Sequence, residues 1–554
     1  MAKYTIGIDY GTLSGRILLV DVQDGKEIGV KEVSYKHGVM DEFMPDGKTK
    51  LPLDTALQHP QDYLDVLYKI PNLIKECKIN KEDIIGIGVD FTACTILPID
   101  KNNEPLCFKE EFKNRKHAYV KLWKDHSSQD EANKLNKIAI NKGKSFIKRY
   151  GGKISSEWLV PKVMKLIEED EEIYNNSYRI IEALDWIILK LTGIESRSIC
   201  SAGFKGMWSK ESGYESKEFL SELDSRLENF TEEKLSNNIK RLDECAGTLT
   251  KEMADKLNLK EGIKIATGIV DAHAALPALG IVGPGKMLMI MGTSTCHIMM
   301  DNKERFIDGV SGVVEDGIIP GYYAYEAGQA CVGDHFDWFV RNGVPKEYEY
   351  EAKNKNINIH ELLCEKVKDQ KPGESGLIAL DWFNGNRSIL TDADLTGAII
   401  GYTLLTKPEE IYRVLIEGTA FGTKIIIDAF ENEGVNIEEI YAAGGIAQKN
   451  EMMMQIYSDV LNKEINISDS NQASALGSAI LAAAIAGKEN GGYDNICEAS
   501  KYMARKKEKT YKPIEENVKL YSRLFKEYKI LHDYFGKGEN NVMKRLKNLK
   551  NELI

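Results

Sequence analysis

The chain opens with two short apolar runs, at residues 4–9 and 16–21, which are separated by a polar loop of Gly, Thr and Ser. Two β-type runs joined by a tight polar loop predict an antiparallel hairpin. A further β-type run, Ile84–Phe91, follows a helix-like segment over residues 60–77. Because strand and helix patterns then alternate, the sequence predicts an α/β fold.

The same plan returns in the second half of the chain. β-type runs resume at 265–271 and at 286–291, and the latter leads into the turn Gly292-Thr293-Ser294-Thr295, about 280 residues after the first such turn. One unit used twice predicts a duplicated fold with a cleft between its halves. The stretch 110–260 is charged and mostly helical in pattern, and we interpret it as an insertion that covers one side of the cleft.

The last third of the chain alternates in the same way. It carries, in order, a helix-like segment at 404–430, a strand at 439–443 that ends in Gly444-Gly445, a helix at 450–461 and a helix over Ala473–Ala486. The last of these has small side chains, so it can pack closely against a sheet. We predict three parts: a first lobe at 1–280, a second lobe at 281–500 and a basic helical extension at 501–554.

The net charge of −12 argues against nucleic acid as the main partner, because phosphate binding needs a basic surface. The tail differs, since residues 501–554 hold 15 Lys and Arg against 7 Asp and Glu. It is either a solvated helical surface or a surface that binds phosphate or a partner. Nine cysteines without a Cys-x-x-Cys pair, and no room for a signal peptide, predict a reduced, cytoplasmic protein. The longest apolar stretch, 473–487, is too short to span a membrane.

Three turns of glycine and small hydroxyl residues each follow a predicted strand, at 9–14, 292–295 and 443–445. Backbone N–H groups in such turns approach a phosphate without a Cβ in the way. One such turn alone is ordinary β-turn chemistry, but three favour a phosphate site. Asp9 at a strand end is a candidate for Mg²⁺, which prefers a carboxylate and retained waters. Neither a P-loop nor a Rossmann glycine motif is present.

Three charged residues are candidates for the chemistry of the cleft. Asp271 ends a β-type run and enters a helix start of small residues, so its carboxylate either caps that helix or acts as a general base. Lys205 and Glu326 stand among small and aromatic neighbours, as in sugar pockets, with plain surface charge as the alternative. The histidines and cysteines have no metal-ligand spacing, and no Gly-x-Ser-x-Gly elbow is present.

Together these residues resemble the FGGY family of carbohydrate kinases over residues 4–486. The specific blocks are Ile8-Asp9-Tyr10-Gly11-Thr12, Asp271-Ala272-His273-Ala274-Ala275, Met291-Gly292-Thr293-Ser294 and Ala443-Gly444-Gly445-Ile446. The resemblance implies a two-lobed actin/Hsp70-like ATPase fold of duplicated ribonuclease H-like domains, with a cleft between the lobes. Further blocks, among them Gly151-Gly152-Lys153-Ile154-Ser155-Ser156-Glu157-Trp158 and Ala202-Gly203-Phe204-Lys205, are similar to the branch of the family that phosphorylates L-ribulose.

The resemblance implies ATP-dependent phosphorylation of L-ribulose at its 5-hydroxyl in arabinose catabolism, with Asp271 as catalytic base and Mg²⁺ near Asp9. It implies nucleotide or phosphate contacts at Asp9, Gly11, Thr12, Ser14, Gly292, Thr293, Ser294, Gly333, Gly444, Gly445 and Asn450. It implies sugar contacts at Ala93, Lys205, Asp271 and Glu326. An extra residue after Gly445 sets Asn450 off from the glycerol kinase spacing. The alternatives are a kinase for another ketopentose or polyol, such as xylulose or ribitol, and a non-sugar actin-like ATPase; a homodimer stays open.

Overall fold

The computed structural model describes residues 2–468, 470–505 and 507–553 as two lobes, each built on a seven-stranded sheet. Met1, Asp469, Lys506 and Ile554, which the predicted lobes and extension include, lie outside the described residues. The first lobe comprises β1 (Tyr4–Tyr10), β2 (Ser14–Asp21), β3 (Glu27–Ser34), β4 (Leu57–Gln58), α1 (Pro60–Leu67), α2 (Ile70–Cys77), β5 (Ile84–Phe91), β6 (Ile96–Ile99), β7 (Val120–Lys121), α3 (Gln129–Asn141), α4 (Leu159–Glu169), α5 (Glu171–Asn176), β8 (Arg179–Glu182), α6 (Ala183–Thr192), β9 (Arg197–Ser198), α7 (Ile199–Lys205), α8 (Lys217–Leu223), α9 (Phe230–Glu233), β10 (Ile239–Lys240), β11 (Cys245–Thr248), α10 (Lys251–Leu257), β12 (Lys264–Ala266), β13 (Ile269–Val270) and α11 (Asp271–Ala278).

The second lobe continues along the chain. It comprises β14 (Gly285–Met291), β15 (Thr295–Asp301), β16 (Gly312–Glu315), β17 (Tyr323–Gln329), α12 (Gly333–Gly343), α13 (Lys346–Lys355), α14 (Ile359–Val367), β18 (Ile378–Leu380), β19 (Ala398–Ile400), α15 (Pro408–Asn432), β20 (Ile437–Ala443), α16 (Gly445–Lys449), α17 (Glu451–Leu461), β21 (Ile465–Ser468), α18 (Ala473–Ala486), α19 (Ile496–Met503), β22 (Lys507–Tyr511), α20 (Glu515–Gly536) and α21 (Val542–Leu553).

Both sheets start from one unit, a hairpin whose first strand also pairs in parallel with a later strand. In the first sheet β1 is antiparallel to β2 and parallel to β5. In the second, β14 is antiparallel to β15 and parallel to β20. The strand orders are β11-β12-β5-β1-β2-β3, with β13 beside β5, and β16-β17-β15-β14-β20-β21-β22. The predicted hairpin, the α/β class and the duplication are confirmed.

Two segments differ from the sequence prediction. The helix-like segment 60–77 is two helices, α1 and α2, because Pro71 in the first turn of α2 has no N–H to donate to a carbonyl four residues back. The stretch 110–260 carries α3–α10, but it also contains β11, which pairs with β12 at the edge of the main sheet. A separate small sheet, β4-β7-β6-β8, stabilises the other end of this region.

The two lobes share a core, in which α18 lies in sequence between two strands of the second sheet, β21 and β22, but packs on the first sheet. Glycines in the first sheet make room for it. A Cβ on Gly7 would lie 1.8 Å from the Ala475 carbonyl oxygen, and one on Gly88 would lie 1.9 Å from that of Ser478. The predicted close packing of this small-residue helix is confirmed, and α11 packs against it to complete the core between the sheets.

The C-terminal extension packs on the second lobe. Strand β22 adds to the sheet antiparallel to β21. Helix α20 buries Tyr521 and Tyr528, and α21 buries Met543, in the core of that lobe. Besides strand β22 the extension carries two helices, and part of its surface is core rather than solvated. Of the helices that the structure describes, none has the length and apolarity needed to cross a membrane.

Candidate active site

Three carboxylates lie at the ends of neighbouring strands of the first sheet. Asp9 on β1 and Asp90 on β5 are register partners in a parallel pair. Strand β13 also pairs in parallel with β5, and Asp271 follows it as the first residue of α11. Because parallel strands end at one edge of a sheet, this is the edge where ligands of open α/β sheets bind.

Asp271 has the electrostatics of a general base. Its side chain is partly buried, and its Oδ1 accepts a hydrogen bond from the Ala272 N–H at 2.6 Å. Burial, and then the charge of Asp9, raise the pKa of Asp271 to about 7. A carboxylate with a pKa near the working pH combines a large deprotonated fraction with useful basicity. The bond to Ala272 is local, so the carboxylate does not make the usual cap to a later N–H of α11.

Asp9 and Asp90 share one strongly desolvated location. Burial raises the pKa of Asp90 well above its usual value, although Ser478 donates to its Oδ2 at 2.6 Å. Burial also raises the pKa of Asp9. A hydrogen bond with Asp90 and the Arg16 guanidinium, at 3.2 Å, partly oppose that rise. Two adjacent carboxylates resist double ionisation, and burial disfavours the charged form of Asp90 more strongly than that of Asp9.

Lys205 and Glu326 form an ion pair that links the two lobes. Lys205 ends α7, Glu326 lies on β17, and the Lys205 Nζ donates to the Glu326 Oε1 at 2.7 Å. Their side chains are 7% and 13% exposed, so the alternative of plain surface charge is wrong. The ammonium also lies 5.5 Å from the centre of the Trp158 ring. Burial alone would raise the pKa of Glu326, but the positive charge of Lys205 and the contact with the His273 ring hold it well below its usual range.

His273 supports Glu326 from the same helix that begins with Asp271. Its Nε2 lies 3.4 Å from the Glu326 Oε2, and its Nδ1 lies 3.4 Å from the Cys200 Sγ. The ring stacks on Phe204 with centroids 4.4 Å apart. Burial lowers the pKa of His273, so this imidazole is neutral and supports Glu326 by contact rather than by charge. Helix α11 therefore carries both the candidate base and a side chain that orients the second lobe's carboxylate.

Ala93, the remaining predicted sugar contact, lies in the turn that follows β5. Its carbonyl accepts a hydrogen bond from the Thr95 hydroxyl at 3.3 Å. The next carbonyl, of Cys94, accepts from the buried Lys162 ammonium at 2.7 Å. The turn is therefore fixed from both sides, and the Ala93 side chain is partly exposed.

The two hairpin turns both begin with a glycine, but the first has four residues between its last paired residues and the second has three. The Gly11 N–H donates to the Ser14 carbonyl at 3.0 Å, and the Gly292 N–H donates to the Ser294 carbonyl at 2.9 Å. A Cβ on Gly292 would meet no atom closer than 3.9 Å, and Thr293 beside it is exposed. Space of this kind next to exposed backbone suits an approaching phosphate.

The hydroxyl groups of the first turn already have partners. The Thr12 Oγ1 accepts from the Trp123 indole N–H at 3.1 Å. The Ser14 Oγ donates to the Glu32 carboxylate at 2.9 Å. In the first turn the backbone is thus the better candidate for phosphate contact than these two hydroxyls.

The other glycines that were predicted to contact the nucleotide allow close approach of backbone segments around the second turn. Gly444 has φ of 99°, and a Cβ there would lie 2.4 Å from the Met291 carbonyl oxygen, so only glycine fits. A Cβ on Gly333 would lie 2.7 Å from the Gly292 carbonyl oxygen, whereas one on Gly445 would meet nothing within 4 Å. These glycines bring α12 and α16 against the second turn.

Asn450 has a structural task in this fold. Its Oδ1 accepts from the Met453 N–H at 3.0 Å and caps the N-terminus of α17. The Cys364 thiol also lies 3.7 Å from that oxygen. A nucleotide contact by Asn450 would therefore use its amide nitrogen, and this role stays a prediction.

Sequence reasoning missed several side chains of the site. Asp90 was visible only as the end of a strand, although both β1 and β5 end in Asp followed by an aromatic residue. Trp123 has no role in the sequence prediction, yet its indole N–H donates to the Thr12 hydroxyl. His273 belongs to one of the sequence segments that resemble the FGGY family, but the sequence assigned it no function.

The residues present are compatible with Mg²⁺. Among the described residues there is no group of three or more His, Cys, Asp or Glu side chains arranged to hold a metal ion. Mg²⁺ needs no such cage, because it keeps several waters and binds through one or two carboxylates and substrate phosphates. The carboxylate of Asp9 supplies that donor chemistry at the edge of the first sheet.

The fold and this cleft define a class: a two-lobed α/β protein with the actin/Hsp70-like ATPase fold and a charged interlobe site. Models of the N-terminal and C-terminal domains of the FGGY family of carbohydrate kinases match residues 4–278 and 287–486. The chain belongs to the FGGY family of carbohydrate kinases and is therefore a sugar kinase.

Several curated relatives match nearly the whole chain. A ribulokinase of Geobacillus thermodenitrificans is 55% identical over 99% of this chain and 97% of the relative. A ribulokinase of Halalkalibacterium halodurans is 53% identical over 99% of this chain and 98% of the relative. Among solved structures, a ligand-bound xylulose kinase from Lactobacillus acidophilus has a TM-score of 0.79 at 18% identity, covering 96% of this chain and 98% of that one. That likeness concerns the fold alone.

Proposed function

We propose that the protein transfers the γ-phosphoryl group of ATP to the 5-hydroxyl of L-ribulose, a step of arabinose catabolism. The family supplies the reaction class, and relatives named ribulokinase at 53–55% identity over the full length support the substrate. The single observation that carries the proposal is the position of Asp271, a carboxylate with a pKa near 7 at the interlobe cleft. The free thiols of all nine cysteines fit the reducing cytoplasm that would supply ATP.

Asp271 removes the proton of the attacking hydroxyl. As the sugar oxygen approaches the γ-phosphorus, its proton passes to the Asp271 carboxylate, which burial and the charge of Asp9 make basic enough to accept it. Positioning and electrostatics supply most of the catalysis in phosphoryl transfer, so one base suffices. Closure of the lobes excludes water, which would otherwise compete with the sugar.

The Lys205–Glu326 pair orients the sugar. An ammonium retains two further N–H donors after its bond to Glu326, and a carboxylate retains lone pairs after its bond to Lys205. The pair can therefore serve sugar hydroxyls as donor and acceptor while each partner offsets the other's buried charge. Ala93 presents a small side chain from the fixed turn after β5 and leaves room for the carbon chain of the ketose.

The polyphosphate lies between the two glycine turns. The backbone of Gly11 and of Gly292 approaches it from the two lobes, and Gly445 offers open space at the start of α16. Asp9, with Asp90 beside it, would hold Mg²⁺ together with phosphate oxygens. Mg²⁺ bound there would offset the negative charge of the phosphates.

A coupled assay of ADP release tests the proposal. The purified protein is supplied with ATP, Mg²⁺ and, in separate reactions, L-ribulose, D-xylulose, ribitol or no sugar. We expect release with L-ribulose to exceed that with the other two at least tenfold in kcat/KM, because a site built to pair hydroxyls discriminates strongly between them. A preference for xylulose or ribitol would assign that compound as the substrate instead. ATP turnover that does not depend on the sugar would point to a non-sugar ATPase.

A further inference from the structure

The loop between β18 and β19, residues 381–397, reaches from the second lobe to the first. The Arg387 Nη2 lies 3.3 Å from the Glu157 Oε1, in the turn before α4. Farther along, the Thr391 carbonyl accepts from the Lys153 ammonium at 2.9 Å. We call residues 381–397 the bridging loop.

Arg387 lies beside the proposed sugar pocket. Its side chain crosses β17 at Gly328, two residues after Glu326, where a Cβ would lie only 3.3 Å from the Arg387 Cδ. The Gly328 N–H donates to the hydroxyl of Ser388, the next residue of the bridging loop, at 3.2 Å. The positive charge of Arg387 interacts electrostatically with Glu326 as well as with Glu157.

Glu157 meets Arg387 from the first lobe. Burial would raise its pKa, but the charges of Arg387, His126 and Lys205 hold it below the usual value. Its side chain is 17% exposed and that of Arg387 is 24% exposed. The Arg387–Glu157 pair and the Lys205–Glu326 pair are thus two neighbouring contacts between the lobes, at one side of the cleft.

The C-terminal extension holds the bridging loop from the other side. The Tyr528 hydroxyl donates to the buried Asp381 carboxylate at 2.9 Å, at the start of the loop. The neighbouring Trp382 packs edge-on against His532, with ring centroids 5.4 Å apart.

Helix α21 contacts the far end of the same loop. Lys544 pairs with Asp392, and the Lys547 ammonium lies 2.9 Å from the Asp394 carboxylate. Helices α20 and α21 thus contact both ends of the loop that carries Arg387.

We infer that the C-terminal extension is a positioning element of the sugar site, which fixes the bridging loop so that Arg387 closes the pocket against Glu157. The inference rests on the proposed sugar kinase function. A loop held at both ends loses less freedom when substrate binds, so the guanidinium is already in place for the sugar. The basic tail that the sequence left unexplained acquires a role in substrate binding.

Arg387→Gln is the first test, with Arg305→Gln as its matched control. Arg305 pairs with Asp301 within the second lobe, away from the bridging loop. The KM for the ketose that the wild type turns over best should rise about tenfold in Arg387→Gln, as for a lost charge-assisted contact. The KM for ATP should stay within about twofold, and Arg387→Lys should fall between. Equal rises for both substrates, or none, would overturn the role of Arg387.

A double-mutant cycle tests the extension. Tyr528→Phe, and separately Lys544→Ala with Lys547→Ala, should raise the sugar KM about threefold, within the range of a lost hydrogen bond, and leave that for ATP unchanged. Lys519→Ala with Lys529→Ala is the control, because both lysines pair within α20.

The cycle distinguishes positioning from simple stabilisation. In an Arg387→Gln background the extension variants should add no further rise in sugar KM, although any loss of melting temperature should persist. Additive rises in KM would contradict the inference. If the proposed function were wrong, the wild-type protein would phosphorylate no ketose, which is seen before any variant is compared. A preference for another ketose would leave this test intact.

Discussion

The two lobes share one backbone plan and carry different chemistry. When the hairpin turns are superposed in register at Gly11 and Gly292, Asp9 in the first lobe corresponds to Ile290 in the second. On the neighbouring parallel strands, Asp90 corresponds to Ala443. The first lobe therefore ends its central strands in carboxylates, whereas the second ends the same strands in apolar residues and glycine turns.

Under the proposed function, this difference divides a phosphoryl transfer between the two lobes. Charged groups suit the lobe that must deprotonate a hydroxyl and hold a cation. A lobe that receives the bulk of a polyphosphate gains more from exposed N–H groups and from the absence of negative side chains. The Lys205–Glu326 pair joins the two, since each lobe contributes one partner.

The largest expected effect is the loss of the base of the first lobe. Asp271→Asn keeps the size of the side chain but removes its basicity, so kcat should fall by about 10²–10⁴ while the sugar KM changes far less. Asp337→Asn, in the exposed part of α12, is the control. If Asp271→Asn retained more than about a third of the wild-type kcat, the carboxylate would not be the base.

A smaller effect is expected from the pair that joins the lobes. Glu326→Gln should lower kcat/KM for ribulose by roughly 10- to 150-fold, the range for a charge-assisted hydrogen bond. It should also lower the melting temperature, because Lys205 then loses the partner of its buried charge.

The exposed pair Lys210–Glu315 offers a matched control, since it also joins the lobes at 2.7 Å. Glu315→Gln should change neither kinetics nor melting appreciably. Similar losses in both variants would mean that the buried pair only stabilises the lobe contact.

The pH profile sharpens the assignment of the base. Asp271 must be deprotonated to accept a proton, and its pKa is raised to about 7. The ribulose kcat/KM should therefore fall about tenfold per pH unit below pH 7 and level off above it. A profile that stays flat down to about pH 5, nearer the ordinary carboxylate range, would contradict the raised pKa.

The smallest of these effects concerns the glycine turn of the second lobe. Gly292→Val places a branched side chain where phosphate must approach, so the KM for ATP should rise about tenfold, equivalent to about 1.4 kcal/mol. Gly283→Val is the control, because a Cβ there meets only the Tyr322 ring at ordinary contact distance. Unchanged nucleotide kinetics in Gly292→Val would remove this turn from the phosphate site.

Local pattern sufficed to predict much of the fold. The β1–β2 hairpin and helix α18 depend on alternating or small side chains within short windows, and both are confirmed. The helix break between α1 and α2 was missed, because the apolar pattern continues across it while Pro71 sets the boundary.

Several residues of the site were predicted individually, but the contacts between them were not. Lys205 and Glu326 were identified separately, yet their pairing spans 121 residues and depends on how the lobes close. Asp90 gains its importance from its register opposite Asp9, and Arg387 from a loop that crosses between lobes. Such contacts depend on tertiary packing, which residue patterns along one chain do not encode.

The most direct test of the account is the structure of the product. The protein is incubated with ATP, Mg²⁺ and L-ribulose, and the sugar phosphate is analysed by ³¹P and ¹H NMR together with the ADP formed. We expect one phosphate per ADP, with phosphorus coupled to the two protons on carbon 5 of ribulose. Phosphate on another carbon, or ADP formed with free phosphate and unchanged ribulose, would contradict the account.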